Sequence, residues 1–399
     1  MPNYQIYYNT KYSVVKHFHN VLCLSEAKGM DINMKIAMIG HKRVPGREGG
    51  IEVVVDELST RMVSLGCEVV VYNRKSKTHP KYKEFKGVHI VNVPTIEKKS
   101  LDAVVYSFFA SIHALFGHFD VIHYHGIGPS VFLLIPHLFG KKTIVTVHGL
   151  NYKTPKWKGF GAKFMKLGEK ITAKYADQII VLSQEQRNYF KQKYNRETVY
   201  IPNGVTVEKQ LNPEIIEKKY SLLKNGYLLF LSRLVPGKGV EYLIEAYKQI
   251  DCELPLIIAG DAPFVDDFNT QIKASAKEDD RIRFIGFVEG KELRELYSNA
   301  RLFVFPSEAE GMPMCLLEAM SYGTPCLISD ISENKEVGKN YVTTFRSKDT
   351  NDLKTKLESL LKEPLMSQGK KEKMTQYIYE NYDWDKVVEK TICLYKGRN

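Results

Sequence analysis

Lys35-Ile-Ala-Met-Ile-Gly40, the run Ile51 to Leu65 closed by Gly66, and Glu68-Val-Val-Val-Tyr72 together decide the fold. The first is a short apolar run ending in glycine, which reads as a buried strand. The second has helical character and a glycine stop. The third is again a strand. This strand–helix–strand unit recurs. Val121-Ile-His-Tyr-His125, Thr143-Ile-Val-Thr-Val147 and Gln178-Ile-Ile-Val-Leu182 are further strands, with helical stretches between them. Such alternation predicts a parallel sheet covered on both faces.

At Ile201-Pro-Asn-Gly204 a turn cluster interrupts the pattern, and a second series begins. Tyr227–Leu231, Leu256–Ala259, Ile282–Ile285, Leu302–Phe305 and Pro325–Ile328 read as strands, with helices near 239–250, 291–299 and 314–322. The expectation is α/β, with two doubly wound domains over 34–205 and 206–381 facing one cleft. Residues 1–33 form an extension before Met34, dispensable or an over-long start. The helix about Trp384 to Tyr395, within 382–399, could belong to either domain. In such sheets ligands bind outside the carboxyl ends of the strands.

Composition excludes other classes. The 399 residues are 44% hydrophobic and 26% charged, the balance of a globular protein and not of a disordered, collagenous or coiled-coil chain. No run of about 18 apolar residues is present; the best candidate, Ala103 to Gly117, is broken by Ser107, Ser111 and His113. No secretory signal pattern is read in residues 1–33. The six cysteines form no C-x-x-C pair, which fits a reducing cytosol. Residues 1–205 carry 29 Lys and Arg against 15 Asp and Glu, whereas 206–399 carry 28 against 31. So basic a first half favours an anionic partner: membrane lipid, lipid pyrophosphate or nucleic acid. No nucleic-acid recognition motif accompanies it.

Five motifs can carry chemistry. In Gly40-His-Lys-Arg-Val-Pro-Gly-Arg-Glu-Gly-Gly50, Gly49 and Gly50 let backbone approach a ligand, and free N–H groups at a helix start attract an anion. The loop matches neither the dinucleotide nor the P-loop fingerprint, and a mere tight turn is the alternative. In Ser232-Arg-Leu-Val-Pro-Gly-Lys-Gly239, Arg233 and Lys238 project from a strand end as a phosphate clamp, unless both are solvated surface cations. In Glu310-Gly-Met-Pro-Met-Cys-Leu-Leu-Glu318 the carboxylates would lie ~12 Å apart on one helix. That is too far for the paired acid and base of a glycosidase. They fit better as grips on two ends of an extended ligand, Glu318 in the manner of ribose-binding carboxylates. The N–H groups of Met312, Met314 and Cys315 could hold phosphate oxygens.

His148, in Thr146-Val-His148-Gly149, stands at a strand end where it could touch a cleft ligand. His123 and His125 share one strand face, but no cysteine or acidic pair nearby completes a metal site. The segment Lys153 to Lys174 holds seven lysines. Lys163, Lys166, Lys170 and Lys174 follow helical spacing beside an apolar stripe of Phe160, Phe164, Leu167 and Ile171. With Trp157 this reads either as an interfacial helix on an anionic bilayer or as a core-packed helix with a solvated lysine face.

Taken in order, these motifs resemble the GT-B glycosyltransferases of family 4. The likeness runs over about 34–395 and includes Val181-Leu-Ser183, Ile201 to Val205, Gly260-Asp261 and Phe284 to Phe287. The opening loop is also similar to a branch associated with bacterial cell-surface polysaccharides. The resemblance implies two Rossmann-like domains and a nucleotide-sugar donor held mostly by the second. It implies that Arg233 and Lys238 neutralise the diphosphate, that Glu318 holds ribose, and that backbone at Phe287 and Val288 holds the base. Glu310 would contact sugar hydroxyls, His148 would approach the sugar, and Gly49 and Gly50 would reach the phosphates on closure. It further implies retention at the anomeric carbon with no metal or other cofactor. The acceptor would be a glycan or a lipid pyrophosphate, and the enzyme would be cytoplasmic and peripheral at the inner face of the membrane. Pro313 departs from the glycine common in relatives and lacks an N–H, so the donor sugar stays open. Two other readings are a nucleotide-sugar epimerase of related shape and an idle nucleotide-binding scaffold. The complete set Arg233, Lys238, Glu310 and Glu318 argues against the scaffold.

Overall fold

The computed structural model describes residues 33–46, 49–76, 80–96, 101–150, 159–261 and 267–397. Nearly all of the expected extension lies outside the described residues, as do Arg47 and Glu48 of the first loop, the lysines 153, 156 and 158, and Trp157.

Two sheets organise the chain. The first contains β1 (Lys35–Ile39), β2 (Glu68–Arg74), β3 (Glu84–Phe85), β4 (Val88–Val93), β5 (Val121–His125), β6 (Thr143–Val147), β7 (Gln178–Val181) and β8 (Val199–Tyr200), in spatial order β3-β4-β2-β1-β5-β6-β7-β8. Its pairs are parallel except for the β3–β4 edge. The second contains β9 (Leu228–Leu231), β10 (Leu256–Ala259), β11 (Ile282–Gly286), β12 (Leu302–Phe305), β13 (Cys326–Ser329) and β14 (Thr343–Phe345), all parallel in order β11-β10-β9-β12-β13-β14.

Alternate residues of the central strands serve opposite cores. Ile36 and Met38 pack with Val54 and Leu58 of the helix Gly50–Ser64, whereas Ala37 and Ile39 pack with Tyr106 and Ala110 of the helix Asp102–Leu115. Burial on both faces is why Ile36 to Ile39 of β1 are apolar without interruption instead of alternating. Leu229 and Leu228 divide the second domain's cores in the same way.

The helix Trp384–Tyr395 packs into the first domain. Trp384, Val388 and Ile392 join the cluster around Ile36 and Met38. Tyr395 bonds His123 Nδ1 at 2.6 Å, and Lys142 Nζ donates to the Tyr395 carbonyl at 2.6 Å. The chain therefore crosses between domains twice, side by side: Val205 N–H donates to the Tyr382 carbonyl at 2.7 Å, and Gly204 lies against the Trp384 ring.

The lysine-rich helix, Gly159–Tyr175, corrects part of one expectation. Ile171 of its apolar stripe is buried in the core, and Phe164 meets Phe132 at 6.2 Å, whereas Leu167 remains 48% exposed. Lys163, Lys166 and Lys170 face solvent. Among the described residues no helix is long and apolar enough to cross a membrane.

Candidate active site

In each sheet the order in which strands are added reverses at the centre, between β1 and β5 and between β9 and β12. There the loops after neighbouring strands part and leave a crevice. The loops carrying Lys238 and Glu310 are the two that flank the second crevice.

The β9 loop is compact: Leu234 N–H donates to the Asp261 carbonyl at 3.1 Å and Lys238 N–H to the Val235 carbonyl at 3.2 Å. Gly239 has φ +72°, and a Cβ there would sit 2.1 Å from the Pro306 carbonyl oxygen. Only glycine lets this loop lie on the β12 loop. The contact delivers Lys238 to Glu310. Lys238 Nζ donates to Glu310 Oε1 at 2.5 Å, and Ser307 Oγ donates to the same oxygen at 2.6 Å. The Lys238 and Glu310 side chains keep only 17% and 10% exposure, so their attraction is less screened than at an open surface. Arg233, on the same loop, is exposed and forms no ion pair among the described residues.

The two glutamates do not share a helix. The helix Met314–Ser321 begins after Pro313, which leaves Glu310 in the preceding loop and Glu318 on the helix. The ~12 Å axial separation is thereby set aside. Glu318 Oε2 accepts from Tyr297 OH at 2.8 Å. Of the three amides expected to meet phosphate, Met314 N–H already donates to the Met312 carbonyl at 3.0 Å. Those of Met312 and Cys315 have no acceptor among the described residues. Met312 Sδ accepts from Asn203 N–H at 3.0 Å and so ties this loop to the interdomain linker. Burial, then the nearby Glu318, pushes the Cys315 thiol up to about 12, which rules it out as a thiolate nucleophile at neutral pH. Phe287 is 53% exposed and Val288 is buried, both just past β11. That position is two strands from β9, about 10 Å, a span that a nucleoside diphosphate can bridge.

The first domain closes the site from the other side. His148 follows β6, and its carbonyl oxygen would lie 1.7 Å from a Cβ on Gly311. Gln186 Nε2 donates to the Gly311 carbonyl at 3.3 Å. A Cβ on Gly50 would meet Met314 Cγ at 3.6 Å, so the Gly49–Gly50 turn touches the start of the second domain's helix. Beside these contacts an interdomain cavity of about 330 Å³ is lined by Gly149, Leu150, Glu185, Gln186, Glu308 and Glu310, among others.

Behind His148 stands a group of histidines. His148 Nε2 and His125 Nδ1 are 3.1 Å apart with their rings stacked. His123 uses both nitrogens, on Tyr395 OH and, at 2.7 Å, on Thr146 Oγ1. Neither is left to bind a metal. Among the described residues no three His, Cys, Asp or Glu side chains converge as a metal site. The His125–His148 pairing was missed from sequence, although both stand at the ends of adjacent strands; His41 and Ser307 were missed as well.

Burial lowers His41, His123 and His148 to about 3 and His125 well below its ordinary value, so all four are neutral at pH 7. The unfolded chain binds protons below about pH 6.5 that the native state refuses, so stability falls as pH drops from there toward 3. For each of His41, His123 and His125, which are fully buried, the loss at pH 5 is on the order of 2 kcal/mol. Thermal melts should therefore show a steep fall in first-domain stability between pH 7 and 5; a flat profile would contradict the buried neutral cluster.

The arrangement thus has a lysine and a glutamate at one switch point, the His148 backbone packed against their loop at Gly311, and an interdomain cavity beside them. Its sequence matches family models over both halves. Residues 48–209 match Glycosyltransferase Family 4, and residues 212–384 match Glycosyl transferases group 1. The chain belongs to these glycosyltransferases. The glycosyltransferase is 26% identical to the phosphatidylinositol N-acetylglucosaminyltransferase gpi3 subunit of Schizosaccharomyces pombe, over 87% of this chain and 77% of that one. It is 28% identical to the UDP-Gal:alpha-D-GlcNAc-diphosphoundecaprenol alpha-1,3-galactosyltransferase of Escherichia coli, over 61% and 66%. The solved structure of sucrose-phosphate synthase from Thermosynechococcus elongatus superposes with a TM-score of 0.80 at 20% identity, over 92% and 99%. The glycosyltransferase has the GT-B fold.

Proposed function

We propose that this glycosyltransferase moves a hexosyl group, with retention, from a UDP- or GDP-type sugar to a glycan or lipid-pyrophosphate acceptor in bacterial cell-surface polysaccharide synthesis. The observation that carries the reading is the Lys238–Glu310 pair at the switch point, brought against the His148 backbone through Gly311. As the anomeric C–O bond breaks, its electrons leave with the diphosphate. Arg233, Lys238 and the amides of Met312 and Cys315 stabilise that charge, which needs no metal ion. Lys238 and Ser307 hold one oxygen of Glu310, orienting the other toward sugar hydroxyls. Glu318 holds the ribose, and backbone at Phe287 and Val288 holds the base. Gly49 and Gly50 bring the first domain to the phosphates, and the acceptor hydroxyl adds to the face that the diphosphate leaves, its proton passing to the oxygen of the departing diphosphate. The names of two relatives support a lipid-borne acceptor, and one of them prints a UDP-sugar donor.

The test is thermal stabilisation by a panel of UDP-, GDP- and dTDP-sugars without added metal, followed by donor turnover with and without acceptor. A shift with one donor, lost in Arg233→Ala, supports the reading. Turnover to a free isomerised sugar would replace it with the epimerase, and binding that leaves every donor intact would replace it with the scaffold.

We also propose that the first domain rests on the anionic inner face of the membrane. Support comes from Phe116, Leu138 and Phe139, 73%, 79% and 68% exposed, with Phe108 and Phe109 in the same region. Exposed Lys163, Lys166 and Lys170 lie on a helix that packs against this region. Aromatic anchors with lysines suit such a surface. Lys163→Glu, Lys166→Glu and Lys170→Glu together should reduce sedimentation with anionic vesicles at least tenfold; unchanged sedimentation would retire the surface.

A further inference from the structure

The histidines behind the cleft have unequal prospects for hydrogen bonding, and the difference fixes where their protons sit. His125 is fully buried. Its Nδ1 faces His148 Nε2 at 3.1 Å, while its Nε2 is buried with no partner. Around it stand His123, with ring centroids 4.2 Å apart, His148 and His41. All are imidazoles, and none supplies a negative charge that would favour an imidazolium. A neutral ring carries one N–H. If that proton sat on Nε2, a donor would be buried without an acceptor, a rarer and costlier state than a lone pair left unused. On Nδ1 it has an acceptor, His148 Nε2.

We infer that His125 is a positioning residue for this transferase: its Nδ1–H donates to His148 Nε2 and thereby holds His148 as the Nδ1–H tautomer. His148 then presents an N–H donor, and not a lone pair, to the ligand. His148 is only partly buried, and its Nδ1 is not among the buried atoms without a partner. An oxygen of the donor sugar is the group such a donor would meet, a step that rests on the function proposed above. A second hydrogen-bonded pair supports the assignment. His41 Nε2 lies 3.1 Å from Asn73 Oδ1, an acceptor, which places the His41 proton on Nε2 and makes its orphaned Nδ1 a lone pair as well. Both orphaned atoms of the cluster are then acceptors, and no buried imidazole N–H is left without a partner.

The experiment is long-range ¹H–¹⁵N correlation of the full chain labelled with ¹⁵N-histidine at pH 7.5, with assignments from single His→Gln variants. The expected result is an Nδ1–H pattern for both His125 and His148, with His148 changing to the Nε2–H form or a mixture in His125→Leu. An Nε2–H pattern for His148 in the unaltered protein overturns the inference, whatever the enzyme's activity. Kinetics give an independent arm. His125→Leu should lower kcat for the sugar donor about tenfold, and His125→Asn, whose amide N–H can stand near the Nδ1 position, should recover most of it. Equal losses in both folded variants overturn the positioning role. If no donor is turned over at all, the proposed function fails while the spectrum still decides the tautomer.

Discussion

Replacing Lys238 with alanine is expected to lower turnover by about 10²–10³-fold, the scale for removing one preorganised group from a site of developing charge. The side chain is nearly enclosed and bonded to Glu310, so its ammonium is already in place when the diphosphate begins to depart. Its loss has a second effect. Glu310, 10% exposed, keeps the Ser307 hydroxyl but loses its cation and becomes a poorly compensated charge at the same site. Lys238→Arg should recover little, because a planar fork cannot occupy the space of a compact ammonium. Steady-state kinetics on samples with unchanged circular dichroism measure both effects. Turnover within threefold of the unaltered enzyme would remove Lys238 from the chemistry.

Gly311→Ala should cost at least 10²-fold in turnover with little loss in the stability of either domain. The added methyl carbon would fall 1.7 Å from the His148 carbonyl oxygen and 2.5 Å from its carbon, both backbone atoms that cannot rotate away. The collision is between domains, so it is relieved by opening the cleft. Opening of even 1 Å separates groups whose alignment is worth about 10²-fold. Solution scattering should show a larger radius of gyration, with melting temperatures shifted by only a few degrees. An unaltered radius together with full activity would mean that the closed contact is not used in catalysis.

Much of the fold was legible because strands buried on both faces leave near-continuous apolar runs. Lys35–Ile39 and Leu302–Phe305 are read directly, and Tyr227–Leu231 differs from β9 by one residue. Less legible were β3 and β4, at the edge of their sheet, where Val88-His-Ile-Val-Asn-Val93 mixes polar residues into the run. The helices Thr350–Lys362 and Gln368–Asn381 fully bury only Leu353 and Leu357, and Met374 and Ile378, so little of either sequence is committed to the core. In the site, Lys238, Glu310 and Glu318 stood out as charged residues after strands. Their partners did not. Tyr297 and Ser307 have ordinary side chains, and Gly311 has none, so their roles arise only when separate segments meet. The amide of Met314 was assigned to phosphate because sequence does not reveal that the turn at Pro313 bends it back to the Met312 carbonyl.

The double crossing at Val205 and Tyr382 gives synthesis an order. On a ribosome, residues 206–381 are made as one uninterrupted stretch and can fold as soon as they emerge. The first domain, although begun earlier, lacks one wall of its core until residues 384–395 arrive. During that interval the apolar surface around Ile36 and Val54 stays uncovered. A chain halted before Trp384 would therefore combine a finished second half with an aggregation-prone first half.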